Sequence, residues 1–269
     1  MRVVVGGGTG FVGRALTQLL RSRGHEVTHI SRQGGKDRIS FHRWNDAFCR
    51  EVISSRVETT KTLAKAIADA EQPPHAWVLV TGVGYYRPSP TAEYTEDSPG
   101  GDFDFFSRLV SSWEAAALTP GSPARGVVVR SGVVLGRGGG AISQMLWPFR
   151  LGLGGPLGSG LQPFPWIHIR DLAGIVCHAL ESEHLQGILN GVAPSSPYTS
   201  NGTFAQELAA ALGRPALLPV PAWAVRAVFG AERAVMLLEG QRVVPKHTLE
   251  SGYHFIFPDL SGALKDIVA

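Results

Sequence analysis

Residues 2–20 of the chain read "RVVVGGGTGFVGRALTQLL". A short β-branched run, residues 2–5, passes directly into glycines, and apolar residues then recur at helical spacing. This pattern predicts a strand, a tight turn and a helix. A second predicted strand, Glu26 to Ile30, follows the helix stop at Gly24. Together these segments form a βαβ unit of the usual length, about 30 residues.

The glycines of the turn lie at Gly7, Gly10 and Gly13, directly after a strand and at the start of a helix. The first glycine permits a tight turn, the second lets a diphosphate approach the backbone, and the third allows close helix packing. The phosphates then meet the positive end of the helix dipole. A glycine pattern alone also arises for structural reasons, but the strand before it and the βαβ length favour a dinucleotide site.

The choice of dinucleotide depends on the residues at the end of the second strand, Ser31 and Arg32. An acidic residue there would accept hydrogen bonds from a ribose 2′-hydroxyl, whereas an arginine and a hydroxyl suit a 2′-phosphate. The sequence therefore favours NADP(H) over NAD(H). The alternative is that Arg32 is a solvated loop residue.

The remaining pattern alternates predicted helices and strands. Apolar residues at helical period run from Trp44 to Ile67, a buried strand begins at Trp77, and a further helix covers about Phe103 to Leu118. "GVVVRSGVVLG", residues 126–136, is predicted as one strand. Such alternation indicates a parallel, doubly wound sheet.

After about Ala141 the sequence becomes rich in Gly/Pro loops, with helical stretches at Phe204 to Leu212 and Ala222 to Leu238. We therefore predict an α/β protein with a Rossmann-type doubly wound parallel sheet and a small C-terminal α+β lobe. Residues 1–140 form the predicted NADP-binding domain. Residues 141–269 are predicted to be mostly the substrate-side and C-terminal lobe, interleaved with the first domain.

Composition limits the classes of partner. The chain has 269 residues and a formal net charge of only +3, with its Lys and Arg residues scattered. We therefore expect a small-molecule substrate and neither a nucleic-acid nor a membrane partner. No apolar run reaches the length of a membrane span, and the first strand begins at Arg2, so we expect an intracellular protein, cytoplasmic by default. Cys49 and Cys177 lack metal-type spacing, so we expect buried thiols and no metal.

Five motifs occur in order along the chain: "GGGTGFVG", "LVTGVGYY", "RSGVVLG", "PWIHIRDLAG" and "LEGQRVVPKHTLESGYHFIFPDLSGALKDIV". Together they resemble the epimerase-family branch of the atypical short-chain dehydrogenase/reductases over nearly the whole chain. The resemblance implies a bound NADP(H) and an oxidoreductase or epimerase activity on CH–OH groups, with no established substrate. The cofactor contacts that it implies are Gly7, Thr9, Gly10, Phe11, Val12, Gly13, Ser31, Arg32, Glu51, Arg56 and the backbone near Val134.

In this superfamily a Ser or Thr at a strand end and a Tyr-x-x-x-Lys pair on the next helix move the proton. The lysine is needed because a phenol with a pKa near 10 is a poor base at neutral pH without a nearby cation. Thr81 occupies the hydroxyl position, but Phe106 and Val110 stand where the tyrosine and lysine belong. Tyr85 and Tyr86 follow Thr81. They are either substitute proton donors, Tyr85 being our candidate, or aromatic walls of a pocket.

Three further residues could carry chemistry. Asp171 is predicted to be the N-cap of the following helix. His168, in an apolar strand, is more typical of a structural histidine than of an acid/base. Arg130, at a strand end, is a candidate for facing the cofactor or a substrate anion.

The chain departs from the family pattern between Arg32 and Arg43. After a short third strand, Ile39 to Phe41, the family has a helix and a fourth strand beside the first, and about two dozen residues of this pattern are absent. Unless "WVLVT" pairs with the first strand, backbone N–H and C=O groups of that strand lose their hydrogen-bond partners. Each unpaired group costs about 1–3 kcal/mol. Three functions follow as hypotheses: an NADP(H)-dependent oxidoreductase or epimerase-like enzyme, an NADP(H)-binding protein without turnover, or a nonfunctional shortened isoform.

Overall fold

A computed structural model describes residues 1–30, 44–117, 121–195 and 198–269. Its first unit consists of β1 (Arg2–Gly6), α1 (Phe11–Ser22) and β2 (Glu26–Ile30). The two strands are parallel, with Val4 opposite Thr28. The predicted strand–turn–helix–strand order is therefore confirmed, and the second strand has the predicted bounds.

A second parallel sheet has the strand order β3-β5-β8. Its strands are β3 (Ala76–Gly82), β5 (Arg125–Ser131) and β8 (Gly187–Gly191). On one side α3 (Phe105–Ala117) contacts β3 and packs against α2 (Asp46–Ala68), and on the other side α5 (Ile169–Glu181) contacts β3, β5 and β8. Helices thus cover both faces, as in a doubly wound fold.

Within the described residues, the two sheets share no strand pairing. β1 pairs with β2 and β3 pairs with β5, so "WVLVT" does not replace the absent neighbour of β1. The exposure of Val4 (61%) and Ile30 (50%) shows that this part of the sheet is poorly covered. One hydrophobic core nevertheless holds side chains from both sheets and from α1 and α5, including Val5, Leu16, Val129 and Ile175.

The C-terminal lobe surrounds a second core that includes Trp166, Phe204 and Leu264. Two short parallel pairs belong to separate sheets: β4 (Glu93–Tyr94) with β9 (Arg242–Val243), and β6 (Val133–Leu135) with β7 (Trp166–His168). The elements of this part of the chain are β4 (Glu93–Tyr94), β6 (Val133–Leu135), α4 (Gly140–Arg150), β7 (Trp166–His168), α6 (Asn201–Ala211), α7 (Ala222–Phe229), α8 (Ala231–Leu238), β9 (Arg242–Val243), α9 (Lys246–Glu250) and α10 (Leu260–Val268). The boundary predicted at residue 140 stays a prediction.

Glycines break two elements that were predicted as continuous. The strand predicted over 126–136 is divided at Gly132, where a Cβ would lie 2.7 Å from the Pro165 carbonyl oxygen. The chain turns there so that β6 pairs with β7. The helical stretch 222–238 is divided at Gly230, whose φ of 78° and ψ of 166° are accessible essentially only to glycine.

None of the described helices is long and apolar enough to cross a bilayer. The two cysteines differ in their surroundings, since Cys177 is buried while Cys49 is only half-buried. The expectation that both thiols are buried is therefore wrong for Cys49.

Candidate functional site

The glycine loop joins β1 to α1 with very little room. Gly7 has a φ of +69°, in the left-handed region that favours glycine, and the Gly10 amide donates to its carbonyl oxygen at 3.0 Å. A Cβ at Gly13 would overlap that same oxygen and approach the Gly8 Cα to 2.6 Å. The third glycine therefore lets the first turn of α1 lie directly against the loop.

Among the described residues, no side chain caps the N-terminus of α1. Gly10 is the N-cap and offers no side-chain hydrogen bond, and no acidic residue lies in the first turn. The first-turn amides thus keep the positive end of the helix dipole available to an anion. Arg14, one turn on, donates to the Thr9 carbonyl oxygen at 2.7 Å and braces the loop from one side.

Phe11 connects the glycine loop to the loop that follows β6. A Cβ at Gly136 or Gly140 would lie 2.9 or 2.8 Å from the Phe11 ring, so the ring packs directly on these glycines. Val134 lies on β6, just before that loop, opposite Ile167. The structure thus places the strand of Val134 next to the loop that meets Phe11.

Two other predicted cofactor contacts, Glu51 and Arg56, lie on α2. Glu51 is exposed on α2. Arg56, on the same helix, donates to the Val52 carbonyl oxygen at 3.2 Å and lies 5.7 Å from the Trp113 ring. Ser31 and Arg32 are outside the described residues, as is the predicted strand Ile39 to Phe41.

A buried polar network follows the carboxyl ends of β3 and β5. The Thr81 hydroxyl donates to Glu114 Oε1 at 2.9 Å. Arg130 holds both oxygens of the same carboxylate, with Nε 2.9 Å from Oε1 and Nη2 2.7 Å from Oε2. The predicted catalytic hydroxyl is thus committed as a donor to an ion pair between α3 and β5.

The network continues into the loop after β3. Arg130 Nη1 donates to the Tyr86 hydroxyl at 3.0 Å, and that hydroxyl donates to Asn190 Oδ1 at 2.8 Å. The backbone N–H of Asn190 donates to Glu96 Oε1 at 2.9 Å. Tyr85 lies under the guanidinium, with its ring centre 3.3 Å from Arg130 Cζ. One arginine therefore organises both tyrosines.

These contacts set the protonation of the buried groups. Burial alone would lower the pKa of Arg130, but the hydrogen bonds and charge of Glu114 raise it above the ordinary value. Burial raises the pKa of Tyr86 above that of a free phenol, against the opposing effect of Arg130. Tyr86 is fully buried and therefore stays a neutral hydrogen-bonding residue. Tyr85, by contrast, is only half-buried.

Phe106 and Val110, which occupy the positions of the superfamily's Tyr-x-x-x-Lys pair (the dyad positions), have apolar surroundings. Phe106 contacts Trp44, with ring centres 5.8 Å apart, and Val110 is buried. Glu114, one turn beyond Val110, was missed by sequence reasoning. Its signal was a lone acidic residue among apolar neighbours on a helix, at one turn's distance from a dyad position.

The prediction that Asp171 is the N-cap of α5 is wrong, because His168 occupies that position. The Arg170 amide donates to His168 Nδ1 at 3.2 Å. Asp171 lies in the first turn, fully buried, and accepts from the Ile256 and Phe257 amides at 2.7 and 2.9 Å. It therefore ties the C-terminal segment to the first turn of α5. His168 is also buried, as a structural histidine would be.

A relative from Bos taurus, "Epimerase family protein SDR39U1", is 65% identical over 295 residues and is matched over all of both chains. The chain belongs to this epimerase family. The human member is 62% identical with the same coverage. A model of the NAD dependent epimerase/dehydratase family matches residues 3–45, and a domain of unknown function, DUF1731, matches residues 220–267. The alignments exceed this chain of 269 residues in length, so these family members contain residues that it lacks.

Two solved structures agree with the fold. The human epimerase family protein SDR39U1, isoform 2, crystallised with NADPH, is 61% identical, has a TM-score of 0.94 and is matched over 99% of both chains. A nucleoside-diphosphate sugar epimerase from Corynebacterium glutamicum is 27% identical with a TM-score of 0.79, over 99% of this chain and 57% of that one. The predicted Rossmann-type α/β class is therefore confirmed.

Proposed function

We propose that this protein binds NADP(H) at the glycine loop and acts as an oxidoreductase or epimerase-like enzyme on a small molecule. The observation that carries this proposal is the loop itself, where Gly13 makes room for close packing and Gly10 leaves the N-terminus of α1 uncapped. Such an end suits a diphosphate. The human family member crystallised with NADPH supports the choice of cofactor.

The described residues fit this cofactor in two ways. The α1 amides would hold the diphosphate, and Phe11 would close the side of the loop next to β6. In the sequence, Ser31 and Arg32 supply the hydroxyl and the cation that a 2′-phosphate requires. When bound, NADPH supplies a hydride to a carbonyl carbon.

The polar network gives the remaining roles. The Thr81 hydroxyl donates its proton to Glu114, so its oxygen lone pairs remain to accept a hydrogen bond from a substrate hydroxyl. Tyr85, held flat by Arg130, is our candidate for donating the proton that a reduced carbonyl oxygen takes up. Arg130 and Glu114 position both groups without touching the reacting atoms.

A second candidate function is cofactor binding without turnover. Phe106 and Val110 at the dyad positions favour it, because neither side chain can carry a proton. A third, a nonfunctional shortened isoform, is favoured by the separation of β1 from β3 in the described part of the chain. The second candidate predicts NADPH binding without turnover, and the third predicts no NADPH-induced melting shift.

The first experiment is a thermal melt of the full chain with NADPH or NADH. A ligand that binds the native state raises its apparent stability, by about 2.7 kcal/mol at 100 times its Kd. We expect a shift with NADPH and a much smaller one with NADH. Arg32→Asp should reverse this preference, whereas Arg214→Asp, at an exposed position beyond α6, should leave it intact. No cooperative transition and no shift would support the shortened isoform.

The second experiment separates an enzyme from a binding protein. The NADPH-loaded chain is mixed with panels of carbonyl compounds and nucleotide sugars while the nicotinamide absorbance is followed. NADPH oxidation that is lost in Tyr85→Phe supports the enzyme, provided that this variant still shows the full NADPH-dependent melting shift. Tight NADPH binding without consumption or epimerised product across the panels would overturn the enzymatic proposal in favour of binding alone.

A further inference from the structure

A second cluster of chemically reactive side chains lies outside the glycine loop and the polar network. It joins the turn after α1 to the last two turns of α5, two helices that pack together. Its members are His25, Cys177 and Glu181. Cys177 and Glu181 are four residues apart on α5, so they lie on one helix face, one turn apart.

The three side chains bring together different ligand atoms. His25 Nε2 lies 2.9 Å from Glu181 Oε1. The Cys177 sulfur, the histidine nitrogen and a carboxylate oxygen of Glu181 all lie within 4.8 Å of one another. Zinc bonds of about 2.0–2.3 Å in tetrahedral geometry separate neighbouring ligands by about 3.3–3.6 Å. To reach this spacing the His25–Glu181 contact would open by about half an ångström, and the Cys177 sulfur, which lies within 4.8 Å of both other ligand atoms, would move to about 3.5 Å from each.

We propose that His25, Cys177 and Glu181 bind a divalent zinc-type cation. One nitrogen, one sulfur and one oxygen ligand match the borderline-soft preference of Zn²⁺, and three protein ligands leave a fourth position for water. The metal would take the place of the proton between His25 and Glu181 and of the thiol proton of Cys177. Binding therefore releases two protons if both the Cys177 thiol and the His25 imidazole give one up. It releases one if only the thiol does.

The surroundings hold two of the ligands in place. Arg23 Nη1 lies 2.5 Å from Glu181 Oε2, so it occupies the carboxylate oxygen that His25 does not contact. A metal on Oε1 leaves this ion pair intact, and Arg23 then orients a monodentate carboxylate, as partners outside the ligand shell do in zinc sites. Gly24, with a φ of +80°, forms the left-handed turn that directs His25 toward α5.

The sequence hides this site because its ligands are 152 and 156 residues distant from His25. The spacing that marks zinc motifs requires ligands close together along the chain. Here the packing of α1 against α5 brings them together instead.

The test uses Zn²⁺ and Co²⁺ added to the full chain after chelation of bound metal. Titration calorimetry should give one Zn²⁺ per chain, and Zn²⁺ should raise the melting temperature by mass action. Co²⁺ should produce a thiolate-to-metal absorption band in the near ultraviolet. Cys177→Ser and His25→Gln should abolish stoichiometric binding, and Cys177→Ser should also remove the band. Arg23→Met should weaken binding by about 10- to 100-fold.

The chain supplies a matched control, because Cys49 is its other cysteine and lies on α2. Cys49→Ser should bind Zn²⁺ and keep the cobalt band like the unaltered protein. The same band in Cys177→Ser, or no stoichiometric Zn²⁺ binding at micromolar protein, would overturn the proposal. Circular dichroism of each variant shows whether it is folded, and Glu181→Gln, which preserves the side-chain shape, tests the oxygen ligand without a cavity.

Discussion

The Glu114–Arg130 ion pair lies at the centre of a buried polar network. Glu114 and Arg130 are almost fully buried and joined by two hydrogen bonds, and Thr81 and Tyr86 satisfy further groups around them. Such a pair adds little net stability over apolar residues of the same volume, but a lone survivor of the pair is costly. The arrangement therefore fixes geometry more than it stabilises the fold.

Removal of one partner should be far more damaging than removal of a surface pair. Arg130→Met leaves the Glu114 carboxylate buried without a cation, so we expect a loss of about 3–5 kcal/mol in the free energy of unfolding. The control is Arg108→Met, because the Arg108–Asp102 pair is exposed, at 3.3 Å, and should contribute less than about 1 kcal/mol. Urea denaturation measures both, and equal losses would contradict the assignment.

Adding Glu114→Leu to Arg130→Met should restore much of the lost stability, because no unpaired charge then remains. We expect the double variant to lose less than the sum of the two single variants, a coupling that a double-mutant cycle measures directly. Strict additivity would show that the two side chains do not act as one unit.

His168 should make stability depend on pH. It is buried against Phe257, with Nε2 3.4 Å from Asp266, and burial lowers the pKa of its imidazole below 6.5, although Asp266 and Asp171 oppose the shift. The unfolded chain therefore takes up a proton at a higher pH than the native chain. The stability contribution of the neutral imidazole is complete above pH 6.5 and is lost as the pH falls through the native pKa.

His168→Asn tests this dependence because asparagine keeps an acceptor at the N-cap of α5. Urea unfolding between pH 5 and 8 should show a weaker loss of stability on the acid side for this variant. His184→Asn, at an exposed position, should retain the slope of the unaltered chain. Identical slopes for all three proteins would mean that other groups control the acid side.

At the scale of elements, local pattern predicted β2 to the residue and the existence of α1, α2 and α3. Period and turn chemistry act over a few residues, so sequence alone was sufficient there. The break at Gly230 was missed because the apolar residues on either side of it keep a helical period, although its φ and ψ are not helical. The break at Gly132 was missed because the backbone path there depends on the tertiary approach of Pro165. The same limit hid Glu114, whose partners Thr81 and Arg130 come from two strands that only the sheet brings together.

The break between α7 and α8 should be sensitive to a single methyl group. Gly230 combines a positive φ with an extended ψ, and Gly230→Ala should cost about 1–3 kcal/mol in the free energy of unfolding. Gly126→Ala is the control, because a Cβ there meets open space and alanine is at least as favourable as glycine in a strand. A neutral Gly230→Ala, measured by urea denaturation, would show that the two helices can move to relieve the strain.

At the scale of the whole molecule, two parallel sheets share one core but not, among the described residues, one hydrogen-bond ladder. Among the described residues, β2 is the strand that pairs with β1, and β3 remains with β5. Side chains such as Val5 and Val129 still meet in the common core. The β1–β2 pair is thus held to the rest of the molecule by side-chain packing through α1 and α5, without ladder bonds to β3.

This difference predicts unequal local stability. Amides of β1 and β2 should exchange with deuterium through openings of lower free energy than amides of β5, which is paired on both sides by β3 and β8. NADPH bound at the glycine loop should protect β1 and the first turn of α1 more than it protects β8, because a ligand stabilises the state that binds it. Native-state hydrogen exchange with peptide resolution measures both effects. Equal protection of β1 and β5 without cofactor would show that the two sheets open as one cooperative unit despite their separate ladders.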